Sequence, residues 1–379
     1  MNILFDASLL FHASKGGGIY NYLLRFLPLL CQKVKKDNDK LAFLNIYFRE
    51  KCAPPDFLLE CDVKKICFPI KLLNRAWIKY GIPDLSWFYK DVDVFHSPHF
   101  SLPAISGAKK ILTVHDLTYL KHPEYFSESG RELNEYGYKT LLPVNIKLAD
   151  KIIAISHHTK LDIMEQFGIS ENKIDVIYHG CDTPENYEMK KLNALLSRFG
   201  LEKTRYVYFP VGTFEPRKNM QKTIESFNKT NPEPGKLKLV ISGVGDKTSM
   251  RIRASTDDVI IVRWDSFVEM NALYQGALFV VYPSLYEGFG MPVIEAMGNR
   301  KAVLTSNTTS LEEIANGFAH TVDPENSDEI VKGFELLFNN MEYRHQLELK
   351  SEKRAQDFSW DKMAEKTYYI YKSLTDVTA

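Results

Sequence analysis

Two carboxylates, Glu287 and Glu295, stand with seven residues between them in "PSLYEGFGMPVIEAMG", Pro283 to Gly298. Around them lie glycines, a proline and large apolar side chains, whereas an ordinary solvated helix face carries its acids on a polar background. The preceding "ALFVVYPS" reads as a buried strand, and Pro292 suits the first turn of a helix. The spacing predicts a helix from about Pro292 to Met297, with Glu287 in the loop before it and Glu295 in its first turn. Gly288 and Gly290 allow close backbone approach to a ligand, and a helix N-terminus offers N–H groups to phosphate. Carboxylates beside such a site accept hydrogen bonds from sugar hydroxyls, which points to a phosphorylated sugar or nucleotide. Spacing alone fits a plainer reading equally well, in which Glu295 complements the helix dipole and Glu287 is a solvated loop acid.

Other loops carry chemistry of the same kind. "GTFEPRKN" follows a strand and opens a helix, so Arg217 and Lys218 suit charge-assisted hydrogen bonds to a diphosphate, or else form a solvated pair at a helix start. "SKGGGIY" is neither a G-x-G-x-x-G nor a Walker loop, yet its glycines, Gly17 and Gly18 among them, allow bare N–H groups near an anion; a plain flexible loop fits equally. "TVHDL" places His115 and Asp116 just past a strand, where such pairs are more often structural than catalytic. His96 and His99 in "FHSPHF" suit a site lining or a satisfied strand end. "SGVGD", with Gly243, sets glycines after a strand, where a nucleotide base can pack on backbone. "DVD", Asp91 to Asp93, has the look of a metal-binding D-x-D, but it precedes a strand rather than following one.

Positioning these loops requires buried strands. Thirteen short apolar runs recur, from "NILFDA" through "IDVIYHG" in the first half and from "RYVYFPVG" through "AHTVDP" in the second. Near-continuous Val/Ile/Leu/Phe runs are expected of strands covered on both faces. Amphipathic stretches such as "IYNYLLRFLPLLCQKV" and "SDEIVKGFELLFNN" separate them. Strand–helix alternation predicts two doubly wound α/β domains, divided at the polar "HGCDTPENYEMKK". The 379 residues, 45% of them apolar, suffice for two cores. Lys plus Arg and Asp plus Glu both number 48, so no overall field would hold a nucleic acid. Five cysteines without a C-x-x-C pair predict reduced thiols in a cytoplasm. The start "MNILFDASLL" predicts no signal peptide, and no apolar run is long enough to span a bilayer.

"PSLYEGFGMPVIEAM" resembles the E-x7-E motif of retaining glycosyltransferases of family GT4. "GGGIYNYLL", "TVHDLTYLKHPEYF", "KIDVIYHG", "VGTFEPRKNMQKTIESF", "TSNTTSLEEIA" and a terminal "FSWDKMAEKTYYIY" resemble family segments in the same order; the likeness is thin over about residues 32 to 90. The resemblance implies the GT-B fold, two Rossmann-like doubly wound parallel-sheet domains facing a central cleft. Residues 1–184 would form the acceptor-side domain, 185–357 the nucleotide-sugar domain, and 358–379 a helix crossing back. By the same resemblance Glu295 holds the ribose and Glu287 the transferred sugar, while the backbone of Phe289, Gly290 and Met291 approaches sugar and phosphates. Lys218, with Arg217, binds the diphosphate; His115 supports the reaction centre with Asp116 as its positioning neighbour; Gly17 and Gly18 face donor phosphate and acceptor. Many relatives carry Arg where Thr213 stands, Gly where Arg300 and Arg263 stand, and Pro where Ala302 and Glu312 stand. Gly298 or Asn299 is expected to supply the left-handed turn.

The implied activity is transfer of a sugar, with retention and without metal or other cofactor, from a nucleoside diphosphate sugar to a hydroxyl of a glycan or lipid-linked acceptor in cell-surface polysaccharide synthesis. "VGTFEPRKN" and "VHDLTYLKHPEYF" resemble bacterial mannosyltransferases, which favours GDP-mannose and leaves UDP-sugars open. A sugar-nucleotide epimerase or hydrolase of the same fold, or a non-catalytic sugar-nucleotide binder, are the rivals. In "IKLLNRAWIKYGIPDLSWFYK" Leu73, Trp77 and Tyr80 share a helical face, with Lys71, Arg75 and Lys79 mainly off it. Such a face suits either a core or a bilayer interface, and the expectation drawn is peripheral contact with the inner face of the cytoplasmic membrane.

Overall fold

The computed structural model describes residues 1–12, 17–48, 53–126, 135–213, 215–244 and 257–375. Two compact units divide the chain: Met1–Gly180 with Trp360–Ala379, and Cys181–Ser359. In the first unit the strands are β1 (Asn2–Asp6), β2 (Lys40–Tyr47), β3 (Asp62–Cys67), β4 (Val94–Ser97), β5 (Lys109–Val114), β6 (Lys151–Ala154) and β7 (Ile174–Val176). They form one parallel sheet in the order β3-β2-β1-β4-β5-β6-β7. The second unit holds β8 (Arg205–Thr213), β9 (Leu237–Val244), β10 (Val259–Val262), β11 (Val280–Tyr282), β12 (Val303–Ser306) and β13 (His320–Val322). Its sheet is also parallel, ordered β10-β9-β8-β11-β12-β13.

Each of the thirteen apolar runs became a strand; the central ones are covered on both faces, while the edge strand β3 has no fully buried residue. Tyr206, Tyr208 and Phe209 of β8 and Val280 to Tyr282 of β11 have no exposed surface. Strand order reverses beside β1 and β4 in one sheet and beside β8 and β11 in the other. These are the switch points where open α/β sheets bind ligands, beyond the carboxyl ends of the strands.

The first unit closes with a helix that follows the second unit in sequence. Trp360–Thr375 packs on Gly18–Lys36, and Tyr371 Oη lies 2.5 Å from His96 Nδ1. A Cβ at Gly180 would fall 2.3 Å from the Trp360 backbone nitrogen, so only glycine fits there.

Two local expectations need correction. The helix Ile70–Tyr80 buries Leu73 and Trp77 in the core of the first unit, where Trp77 Nε1 donates to Pro83 O at 2.9 Å, and only Tyr80 of the three stays exposed. That face is therefore a core face and not a bilayer face. The left-handed turn after the helix Met291–Gly298 falls on Arg300, with φ of 58°, while Asn299 has φ of −89°. Gly298 is needed for space: its Cβ would meet Asp182 O at 2.3 Å and Cys181 Sγ at 2.6 Å. No helix among the described residues is long and apolar enough to cross a membrane.

Candidate functional site

In the second unit the loops after β8 and β11 meet because those strands are neighbours. Leu285 N donates to Arg217 O at 2.7 Å, and Ser284 Oγ lies 2.9 Å from the same oxygen. Asn219, in a left-handed conformation before the helix Met220–Thr230, donates to Pro283 O and Pro324 O, tying in the loop after β13.

These ties bring Arg217, Lys218 and Glu287 together. Glu287 Oε1 accepts from Lys218 Nζ at 2.7 Å, Tyr282 Oη at 2.8 Å and Ser284 Oγ at 2.7 Å. Its Oε2 accepts from Arg217 Nη1 at 2.7 Å, and Arg217 Nε donates to Glu215 at 2.5 Å. Burial alone would raise the Glu287 carboxyl, but the charges of Arg217 and Lys218 and their hydrogen bonds outweigh it and hold it at about 2. Burial pulls the Lys218 ammonium below the usual lysine value, against the opposing charge of Glu287. Glu287 is thus a fixed anion that orients two cations at the carboxyl ends of the switch-point strands.

The helix Met291–Gly298 starts one residue earlier than the sequence spacing suggested, so Glu295 lies past its first turn. Gly290 precedes it with φ of 104°, and a Cβ there would also lie 2.5 Å from Leu311 Cδ2. Both facts require glycine. Glu295, half-buried, accepts from Tyr274 Oη at 2.9 Å. Phe289 turns its ring inward, edge-on to Phe358, which leaves its backbone as the part able to meet a ligand. Met291 is half-buried, Thr213 ends β8, and Gly243 lies in β9 opposite Gly212.

In the first unit His115 follows β5. Its Nε2 donates to Pro98 O at 2.9 Å, so the neutral ring has Nδ1 as its acceptor. The ring stacks on His179 at 5.6 Å and 10°, and Tyr22 stands edge-on to both. Burial among these rings lowers the His115 pKa, opposed by the Pro98 bond and the charge of Asp116. Asp116 does not hold the imidazole through the hydrogen bonds it accepts: these come from Thr118 N and, at 2.7 Å, from Tyr138 Oη. His96 is fully buried between Tyr371 and Thr113, and His99 packs on Phe100. Gly17 caps and Gly18 begins the helix Gly18–Lys36, with open space at both Cβ positions. Ser14 to Gly16 of the glycine loop, and Gly245 and Asp246 of "SGVGD", lie outside the described residues.

Sequence reasoning missed Tyr282, Ser284 and His179. The first two sat in "VVYPS", read only as a strand, and His179 sat in "KIDVIYHG", quoted without a role.

Comparison with known proteins bears on these loops. A model described as Glycosyltransferase Family 4 matches residues 52–185, and one described as Glycosyl transferases group 1 matches residues 194–354. The O-antigen chain mannosyltransferase B of Escherichia coli is 27% identical over 76% of this chain and 75% of its own. The O-antigen chain mannosyltransferase RfbU of Salmonella typhimurium is 26% identical over 86% of this chain and 88% of its own. The structure of Anabaena HepE in complex with UDP-glucose superimposes with a TM-score of 0.71 at 16% identity, covering 98% of this chain and 100% of that one. With both family models in tandem, and with two parallel sheets wound as a GT-B pair, the chain belongs to the group 1, family 4 glycosyltransferases.

Proposed function

We propose that this glycosyltransferase moves mannose from GDP-mannose to a hydroxyl of a glycan or lipid-linked acceptor in cell-surface polysaccharide synthesis, with retention and without metal. The observation that carries the proposal is the placement of Arg217 and Lys218 by Glu287 at the β8/β11 switch point. Two fixed cations there stabilise a leaving diphosphate as its bond to the sugar breaks, the task a metal performs elsewhere. Glu295, with Tyr274 behind it, suits a ribose hydroxyl, and the start of the helix Met291–Gly298 suits phosphate. His115, neutral and with Nδ1 as acceptor, suits a hydroxyl of the donor sugar. Transfer then proceeds on one face: the departing phosphate oxygen takes the acceptor proton while the acceptor oxygen bonds to the anomeric carbon. The names of the two O-antigen mannosyltransferases support mannose and the polysaccharide role.

The similarity to a structure containing UDP-glucose favours a second reading, a UDP-sugar donor on the same machinery. A thermal-shift panel of GDP, UDP and their sugars separates the two. A ligand at about 100 times its Kd adds roughly 2.7 kcal/mol of stability, so the preferred base identifies itself. Incubation with donor alone tests for epimerase or hydrolase activity, proton NMR of the product reads the anomeric configuration, and persistence of transfer in excess EDTA checks metal independence. We place the enzyme in the cytoplasm, peripherally on the inner face of the cytoplasmic membrane.

A further inference from the structure

The first unit carries an apolar groove that neither the reaction nor the sugar nucleotide uses. It has a volume of about 440 Å³ and is lined by Ile66, Cys67 and Phe68 of β3 and its exit, Leu72 and Ala76 of the helix Ile70–Tyr80, and Phe88. Its floor is the core, through Leu73 and Leu85. Its rim is apolar and open to solvent. Of the seventeen exposed large hydrophobic side chains among the described residues, seven fall between Phe68 and Phe88, with Trp87 at 62% and Phe88 at 65% exposure. Exposed apolar residues scattered singly need no explanation, but this clustering does.

Charge identifies the occupant. Between the flanking Asp62 and Asp91 the chain has Lys64, Lys65, Lys71, Arg75, Lys79 and Lys90 against one acid, in a protein of zero net charge. That acid, Asp84, is turned to Ser86 and Ser106, and Lys64 pairs with Asp62 at 2.8 Å. A second copy of the chain docked here about a two-fold axis would set this positive patch against itself, whereas an anionic membrane surface is attracted to it. The groove includes Ile66 and Cys67 at the carboxyl end of β3, and His115 follows the carboxyl end of β5. β3 and β5 are separated by four strand spacings, roughly 19 Å in all, so a lipid held in the groove and the catalytic loop are served by one sheet end.

We propose that this groove takes one hydrocarbon chain of an anionic membrane lipid, with the surrounding lysines and arginine at the headgroups. The proposal rests on the reading of this enzyme as peripheral at the membrane, and names the element that makes the contact.

Cys67, an exposed free thiol in the groove wall, reports on occupancy. The full chain is mixed with phosphatidylcholine vesicles with and without phosphatidylglycerol; binding is read by sedimentation and Cys67 modification by maleimide is followed by peptide mass spectrometry. Anionic vesicles should slow Cys67 modification several-fold, and the protection should fall with salt. Ala76→Phe fills the groove and should lower vesicle affinity about tenfold, the equivalent of two methylenes left unburied. Its thermal shift with GDP or UDP should remain that of the wild type. Leu72→Gln, at an exposed position, provides a second variant that does not disturb the core and should weaken binding in the same direction. Binding to anionic vesicles with Cys67 fully reactive and both variants neutral overturns the groove assignment and leaves the peripheral reading standing. No binding at low salt overturns both. Protection of Cys67 that grows with protein concentration in the absence of lipid, together with a dimer by light scattering, assigns the groove to a second copy and overturns the proposal.

Discussion

The ammonium of Lys218 lies 2.7 Å from the carboxylate of Glu287, and the two residues are only 6% and 7% exposed. A buried pair of this kind contributes little net stability compared with a well-packed apolar pair, but removing one partner strands the other. Glu287→Ala should therefore destabilise the protein by roughly 3–5 kcal/mol in urea denaturation. Glu287→Gln keeps the shape and removes the charge. Because Glu287 is held at about 2, below its ordinary 4.5, its stabilisation is fully present above pH 4.5 and is lost as pH falls toward 2. The stability–pH curve of Glu287→Gln should lack that loss, about 3 kcal/mol in the wild type.

Lys218→Ala should lower the rate of transfer about 10²–10³-fold, the scale for removing one preorganised donor from a developing charge. Single-turnover kinetics with saturating donor reads the chemical step. Lys218→Arg should not restore it, because a planar fork cannot take the place of an ammonium wedged against both Tyr282 and Glu287. A wild-type rate in Lys218→Ala would falsify the leaving-group role.

Glu295→Ala should weaken nucleoside diphosphate binding by about 1–3 kcal/mol, since it leaves hydrogen-bond partners unpaired. Tyr274→Phe removes the hydroxyl that orients Glu295, which also lies 3.3 Å from Pro292 O, and should weaken binding by about 0.5–1.5 kcal/mol. Calorimetric titration of the two single variants and the double variant checks the link. If Tyr274 acts through Glu295, the double variant is no weaker than Glu295→Ala alone.

Buried histidines impose a different pH dependence. Burial, assisted by the charge of His115, pushes His96 down to about 3, so its ring stays neutral in the folded protein. The unfolded chain protonates it below about 6.5, and stability therefore falls as pH drops from 6.5 toward 3. His96→Gln should reduce that slope by about 1.4 kcal/mol per pH unit within this window. Equilibrium unfolding at pH 6.5, 5.5 and 4.5 measures it. The Glu287 window begins only below pH 4.5, so these measurements read His96 apart from it.

Much of the fold was legible because strands buried on both faces leave apolar runs that turns punctuate. Phe5, Val94 and Ile111 mark β1, β4 and β5 without any need for a pattern of alternation. What periodicity does not encode is which strands become neighbours. Arg217 and Glu287 meet only because β8 pairs with β11, and His115 meets His179 only once β5, β6 and β7 are side by side. The E-x7-E spacing singled out the loop that holds Glu287, but not that this acid accepts from Arg217 and Lys218 after β8 and from Tyr282 and Ser284 at the end of β11. Trp77 misled for a related reason: amphipathicity shows that a helix has two faces, and only the packing of the sheet shows which one is inside.

The contact between Gly180 and Trp360 makes the first unit a discontinuous one. Its first-translated part ends at Gly180, and the helix that supplies Tyr371 to His96 is translated only after the whole second unit. Closing so long a loop in a disordered chain is entropically unfavourable. If the second unit folds first, its own ends are already tied, with Cys181 N donating to Phe358 O at 3.3 Å, and the returning helix is delivered to its place. On that route the inserted unit folds as an independent body, and the host unit, whose seven strands all precede Gly180, receives its last helix at the end.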